Sequence, residues 1–129
     1  MRLLLDTSAL IWFIADSPRM PGRLKDLIET DGTETFVSVV SPWEIAIKTR
    51  LGKLNLGRPL HPDVARLVAR MGFAMLPLDW EDFQLVAELP LHHRDPFDRM
   101  LVAQALRHRF TVLTPDALWD RYGVSRLWA

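Results

Sequence analysis

Five acidic residues stand where the chain passes from one short segment to the next. Asp6 follows Leu3-Leu-Leu5, Glu44 comes shortly after Phe36-Val-Ser-Val-Val40, Asp95 and Asp98 flank Pro96-Phe97, and Asp116 follows Thr111-Val-Leu-Thr114. Each has an ordinary structural use. Asp6 can cap a helix, and Ser41-x-x-Glu44 has the form of a capping box. Asp95 before Pro96 suits an N-cap with proline at the first helical position, and Asp98 then sits at the third. Thr114-Pro115-Asp116 repeats that logic, and a cap stabilises by about 1 kcal/mol. Convergence changes the reading. Two carboxylates about 4 Å apart repel by roughly 4 kcal/mol at an effective dielectric near 20. Several in one cleft require raised pKa values or a divalent cation. Hard oxygen donors without thiolate select Mg²⁺, or Mn²⁺, over zinc. Carboxylates holding such ions suit the hydrolysis of a phosphodiester.

The elements that must position these acids are legible in outline. Arg2 to Leu5 reads as a buried strand, being too short for a helix and stopped by Asp6-Thr7-Ser8. Ala9 to Ile14 reads as a helix ended by Ser17-Pro18, and Arg23 to Ile28 as a second, with Leu24, Leu27 and Ile28 on one face. The β-branched run Phe36 to Val40 predicts a second strand, and a helix follows from Ser41 to about Leu51, with Gly52 as C-cap. Gly57-Arg58-Pro59 reads as a loop and His61 to Met71 as a helix. Phe73 to Leu78 predicts a third strand, and residues 79 to 88 a short helix. Residues 89 to 94 form a loop before a long helix from Asp95-Pro96 to about His108. Thr111 to Thr114 is the fourth strand, a helix starts at Thr114-Pro115-Asp116, and residues 123 to 128 offer a fifth, edge strand. Buried runs alternating with helices predict a three-layer α/β/α fold with a mainly parallel sheet of four to five strands. Ligands of such sheets sit beyond the carboxyl ends of the strands, at a topological switch point.

The 129 residues fit one domain, 1–129, able to bury a core without staples. The absence of cysteine excludes a disulfide scaffold, a thiolate metal site and a cysteine nucleophile. Equal numbers of basic and acidic residues, 16 each, argue against a polybasic nucleic-acid clamp or a membrane-surface patch. No run approaches the roughly 18 apolar residues of a membrane span, and no signal peptide is evident. A cytoplasmic location is expected.

Four pieces carry a family likeness: Leu3-Leu-Leu-Asp6-Thr-Ser-Ala-Leu10, Ser41-Pro-Trp-Glu-Ile-Ala-Ile-Lys48, Arg94-Asp-Pro-Phe-Asp-Arg-Met-Leu-Val-Ala-Gln-Ala105 and Thr111-Val-Leu-Thr-Pro-Asp116. In this order and spacing the chain resembles the PIN-domain ribonucleases, and more closely the VapC-type toxins of bacterial toxin–antitoxin pairs. The resemblance places the family's four acids on Asp6, Glu44, Asp98 and Asp116, with Asp95 as a supporting ligand. It implies Mg²⁺-dependent endoribonuclease activity (Mn²⁺ as the alternative ion), leaving a 5′-phosphate and a 3′-hydroxyl. Asp6 and Asp98 are then direct ligands, Glu44 holds a water, and Asp116 completes a second site or orients the first. Thr7, Ser8 and Thr114 are expected to hydrogen-bond these ligands or the phosphate, or simply to start helices. The resemblance further implies a homodimer and a cognate antitoxin.

Other features have blander readings. His92-His93 is expected in a solvated loop, with contact to substrate as the alternative, His61 and His108 on helix surfaces, and Arg99 paired with Asp95 or another acid. Lys48, Arg50, Lys53, Arg58, Arg66 and Arg70 make a locally basic stretch, either a solvated face, a guide for RNA phosphates or a surface for an acidic partner. Trp12, Trp43, Trp80, Trp119 and Trp128 are core or interface residues by default. The helix around Trp12 is apolar nearly all round and must be buried, in the core or against another chain. Two other functions fit less well. A phosphoacceptor receiver domain wants an acidic pair after the first strand, an acceptor Asp on a central strand and a late lysine, and the chain has none of these. A catalytically inactive PIN-like binding module would use the acids only as caps.

Overall fold

The structure, a computed structural model, describes residues 1–55 and 64–128. The expected loop at Gly57-Arg58-Pro59, and His61 at the start of its helix, lie outside the described residues. Twelve elements follow one another: β1 (Arg2–Leu5), α1 (Thr7–Ile14), α2 (Gly22–Glu29), β2 (Glu34–Ser38), α3 (Val40–Arg50), α4 (Val64–Arg70), β3 (Ala74–Leu76), α5 (Trp80–Glu88), α6 (Pro96–His108), β4 (Thr111–Leu113), a short 3-10 helix (Ala117–Tyr122) and β5 (Ser125–Leu127).

All five strands join one sheet in the order β3-β2-β1-β4-β5, and every pairing is parallel. The expected edge strand is therefore real, although it is shorter than residues 123 to 128. β2 begins and ends earlier than its apolar run suggests. Val40 belongs to α3, because Val39 N–H bonds to Leu76 O and the chain then turns out of the sheet.

Alternation along β1 divides the core. Leu3 and Leu5 face a cluster with Leu10 of α1, Leu24 and Ile28 of α2, Ile45 of α3 and Val68 of α4. Leu4 faces the other way, onto Leu101 and Val102 of α6, Val112 of β4 and the fully buried Trp119. The two-residue period of a strand thus feeds both helical layers and makes β1 the centre of the three. Placing β2 and β3 on one side of β1, with β4 and β5 on the other, creates the switch point between β1 and β4.

Buried polar groups hold the layers in register. Ser38 at the end of β2 donates to Gln104 Oε1 of α6 at 2.5 Å, and Gln104 Nε2 donates to Pro77 O at 3.2 Å. Arg99 does not pair with an acid as expected. Its guanidinium donates to the carbonyls of Val86 (2.8 Å), Leu89 (3.2 Å) and Pro90 (2.8 Å). It thereby satisfies orphan carbonyls at the end of α5 and fastens residues 89–94 to α6.

Candidate active site

Asp6, the first residue past β1, is the N-cap of α1, and its Oδ1 accepts from Ala9 N at 2.8 Å. Asp6 N–H in turn bonds to Leu113 O of β4 at 3.2 Å, so the carboxylate sits at the switch point. Burial pushes its pKa up to about 7, and the charges of Asp98 and Glu44 add to the rise. Hydrogen bonds from the Thr114 hydroxyl and Ala9 N–H oppose it.

Asp95 and Asp98 arrive with α6 as the Pro96 signal predicts. Asp95 Oδ1 caps Phe97 N at 2.8 Å and Asp98 N at 3.4 Å, which turns Asp98 toward the cleft at the third helical position. Burial raises the Asp98 pKa to about 6, helped by the charges of Asp95 and Glu44 and opposed by His93 and Lys48. Among the described residues neither Asp6 nor Asp98 has an ion pair.

Glu44 is buried, but not through a capping box. The N-cap of α3 is Val39, with no side-chain cap bond, and Ser41 and Glu44 both lie inside the helix. Thr7 donates to Glu44 Oε1 at 2.6 Å, and Lys48, one turn on, ion-pairs with Glu44 Oε2. These partners draw the carboxylate inward, away from the backbone N–H groups of its own helix. Thr7 also contacts Ser41 Oγ at 2.9 Å, so α1 and α3 are tied together beneath the acid. The Lys48 ammonium spans to Asp95 Oδ2 at 2.9 Å. Burial works against the charge on both partners, yet the Lys48 bonds hold the Asp95 carboxyl below its usual range. The same bonds to Glu44 and Asp95 raise the lysine. Lys48 is thus no part of a solvated basic face. Arg50, Lys53, Arg66 and Arg70 are exposed, and Arg58 lies outside the described residues.

Asp116 caps the 3-10 helix, with Oδ1 accepting from Leu118 N at 3.0 Å, and its own N–H donates to Thr114 Oγ1 at 3.1 Å. Its Oδ2 is held by His93 Nε2 at 2.7 Å. That contact corrects the expectation of a solvated His92-His93 pair, since His93 is only 8% exposed. The ring stacks on Tyr122 at 5.5 Å, and its Nδ1 lies 2.9 Å from the Tyr122 hydroxyl. That hydroxyl accepts from His93 N–H at 2.9 Å. A carboxylate oxygen can only accept, so the His93 Nε2–H donates to Asp116. The surrounding residues read as loop in the sequence, and only the adjacent histidines hinted at this role.

Of the three expected supporting hydroxyls, Thr7 and Thr114 bond acids directly or fix the backbone beside them, whereas Ser8 is exposed. Oxygen donors, a buried Asp6 beside a half-buried Asp98, and repulsion that no ion pair to them relieves among the described residues fit a hard divalent ion. Mg²⁺ is commonly held by one or two carboxylates, with water and substrate phosphate completing its shell. The wider five-acid set does not close around one point. Among the described residues no group of three or more His, Asp or Glu side chains is placed to hold a metal. Glu44 and Asp95 turn to Lys48, and Asp116 turns to His93.

The tryptophans divide. Trp119 is fully buried and Trp12 and Trp128 half-buried, but Trp43 and Trp80 are exposed rather than core. With Ile47 and Leu51, Trp43 forms an exposed apolar stripe along α3. No helix of the described residues is long and apolar enough to cross a membrane.

A family model described as PIN domain matches residues 3–124. Solved structures with a similar fold include VapBC2 from Rickettsia felis bound to a DNA fragment from their promoter, at 12% identity over 100% of both chains and a TM-score of 0.72. VapBC-1 from nontypeable Haemophilus influenzae is 15% identical over 98% of this chain and 97% of that one, with a TM-score of 0.68. FitAcB from Neisseria gonorrhoeae is 20% identical over 97% and 96%, with a TM-score of 0.67. No curated protein matches the chain.

Proposed function

Because the chain belongs to the PIN-domain family, we propose that it is a divalent-metal-dependent endoribonuclease, the toxin of a toxin–antitoxin pair. The observation that carries this reading is the pair of acids at the β1–β4 switch point, Asp6 and Asp98, both raised in pKa and, among the described residues, neither in an ion pair. Mg²⁺ or Mn²⁺ held there supplies Lewis-acid activation of water and charge stabilisation of the leaving oxygen. The chain's own residues do the rest. Asp6 and Asp98 furnish oxygens, and Thr114 and Ala9 N–H orient Asp6. Glu44, fixed by Thr7 and Lys48, and Asp116, fixed by His93, set the negative border of the cleft. Water attacks phosphorus, the P–O3′ bond breaks, and the products are a 5′-phosphate and a 3′-hydroxyl.

Antitoxin binding is supported by the resemblance to VapC-type toxins and by the likeness in fold to VapBC2 and VapBC-1. The stripe of Trp43, Ile47 and Leu51 gives a protein partner, an antitoxin or a second copy, apolar surface to cover. A PIN fold kept only for binding draws support from the internal partners of Glu44, Asp95 and Asp116, and it predicts no turnover.

The deciding experiment is incubation of purified protein with single-stranded and hairpin RNA, with Mg²⁺ or with EDTA, followed by end mapping. Cleavage only with the ion, leaving 5′-phosphates, is expected. Intact RNA under all conditions leaves the binding module. In the same assay His93→Ala is expected to slow cleavage by about 10- to 100-fold, the usual cost of losing a group that orients a carboxylate beside an ion. Initial rates check this.

A further inference from the structure

The bonding around Lys48 bears on how many cations the cleft takes. Its ammonium joins carboxylates from two helices, Glu44 Oε2 of α3 and Asp95 Oδ2 at the cap of α6. It is 29% exposed and lies 5.7 Å from the Phe97 ring, which shelters it from water on one side. The other oxygens of these acids are also taken. Glu44 Oε1 accepts from Thr7, and Asp95 Oδ1 accepts from the first N–H groups of α6. Asp116 spends one oxygen on Leu118 N and the other on His93. Among the described residues, Asp6 and Asp98 are the two of these acids that no side-chain cation meets in an ion pair. A lysine ammonium is a compact point charge on a flexible stem, able to fill the place of a small cation between two carboxylates.

Resting on the reading of this cleft as a metal site, we propose that it takes one divalent ion, on Asp6 and Asp98, and that the Lys48 ammonium occupies the position of a second. Lys48 is then a built-in counter-ion that positions Glu44 and Asp95. Its charge is covalently tethered to α3, whereas a second ion would be exchangeable.

The test is Mn²⁺ titration of the full chain at neutral pH, with free Mn²⁺ read from its electron paramagnetic resonance signal. One ion per wild-type chain is expected. Lys48→Met is expected to bind two, and Lys48→Met combined with Glu44→Gln to return to one. Lys48→Arg keeps the charge and is expected to stay at one, which separates the charge from a general loosening of the fold. Thermal melts confirm that each variant is folded. Two ions on the wild-type chain, or one on Lys48→Met, overturn the role of Lys48 and leave the nuclease reading standing. No ion on the wild-type chain overturns both.

Discussion

Asp6→Asn is expected to abolish RNA cleavage and, in the same protein, to raise the melting temperature of the metal-free form at pH 8. The substitution keeps the shape and the N-cap, because an asparagine oxygen can accept from Ala9 N as the carboxylate does. It removes a ligand oxygen and its charge, so initial rates should fall by about three orders of magnitude or more. Expression of the wild-type chain without an antitoxin is expected to arrest growth, and expression of the variant is not. The stability gain follows from the other side of the same chemistry. With its pKa raised from 3.8 to about 7, ionised Asp6 burdens the fold at pH 8 by on the order of 4 kcal/mol. Relief of that burden amounts to a rise on the order of 10 °C for a domain of this size. A variant that loses activity and also melts earlier would mean that Asp6 is structural.

The second large effect is a pH profile. For an acid whose folded pKa is raised, the stabilising contribution is complete below its unfolded value and is lost as pH climbs to the folded one. For Asp6 that window runs from about pH 4 to about pH 7, and for Asp98 it closes near pH 6. Asp95 works in the opposite sense. Its pKa is lowered, so its contribution is present above about pH 4 and is lost on further acidification. The metal-free protein is therefore expected to be most stable in mild acid, near pH 4–5, and to weaken toward pH 8. Added Mg²⁺ should restore stability at pH 8 and change little at pH 5, where Asp6 is protonated. Urea midpoints at the two pH values, with and without the ion, check this. A profile flat from pH 5 to pH 8 would mean that the two carboxyls are not withdrawn from water in the folded protein.

How much of this could be read from residues alone depended on whether the signal was local. Asp95-Pro96 announced a helix start, and the structure has that cap with Asp98 at the third position. Leu3-Leu-Leu5, Val112 and Leu113 announced buried strands, and the structure pairs the two in parallel with Asp6 just past the first, at the switch point. What stayed hidden was pairing across the chain. Nothing near His93 says that Asp116 will receive its ring, and nothing near Lys48 says that Asp95 will share its ammonium. Arg99 next to Asp98 invited an ion pair, yet the carbonyls left over at the end of α5 were the stronger claim. Glu44 shows the same limit in reverse. Its spacing from Ser41 suited a cap, and a partner from another helix, Thr7, took the carboxylate instead.

The placement of β1 between β2 and β4 also governs when the cleft comes into being. Asp6 is synthesised well before Asp116, and β4 must reach back across β2, β3 and the helices α1 to α6 to lie along β1. Such distant pairings are slow to close. A nascent chain on the ribosome carries Asp6 and Glu44 long before the strand that completes their surroundings exists. A nascent chain that ends before β4 lacks the strand whose Leu113 carbonyl receives Asp6 N–H, so the surroundings of the proposed centre are completed only once β4 has been made.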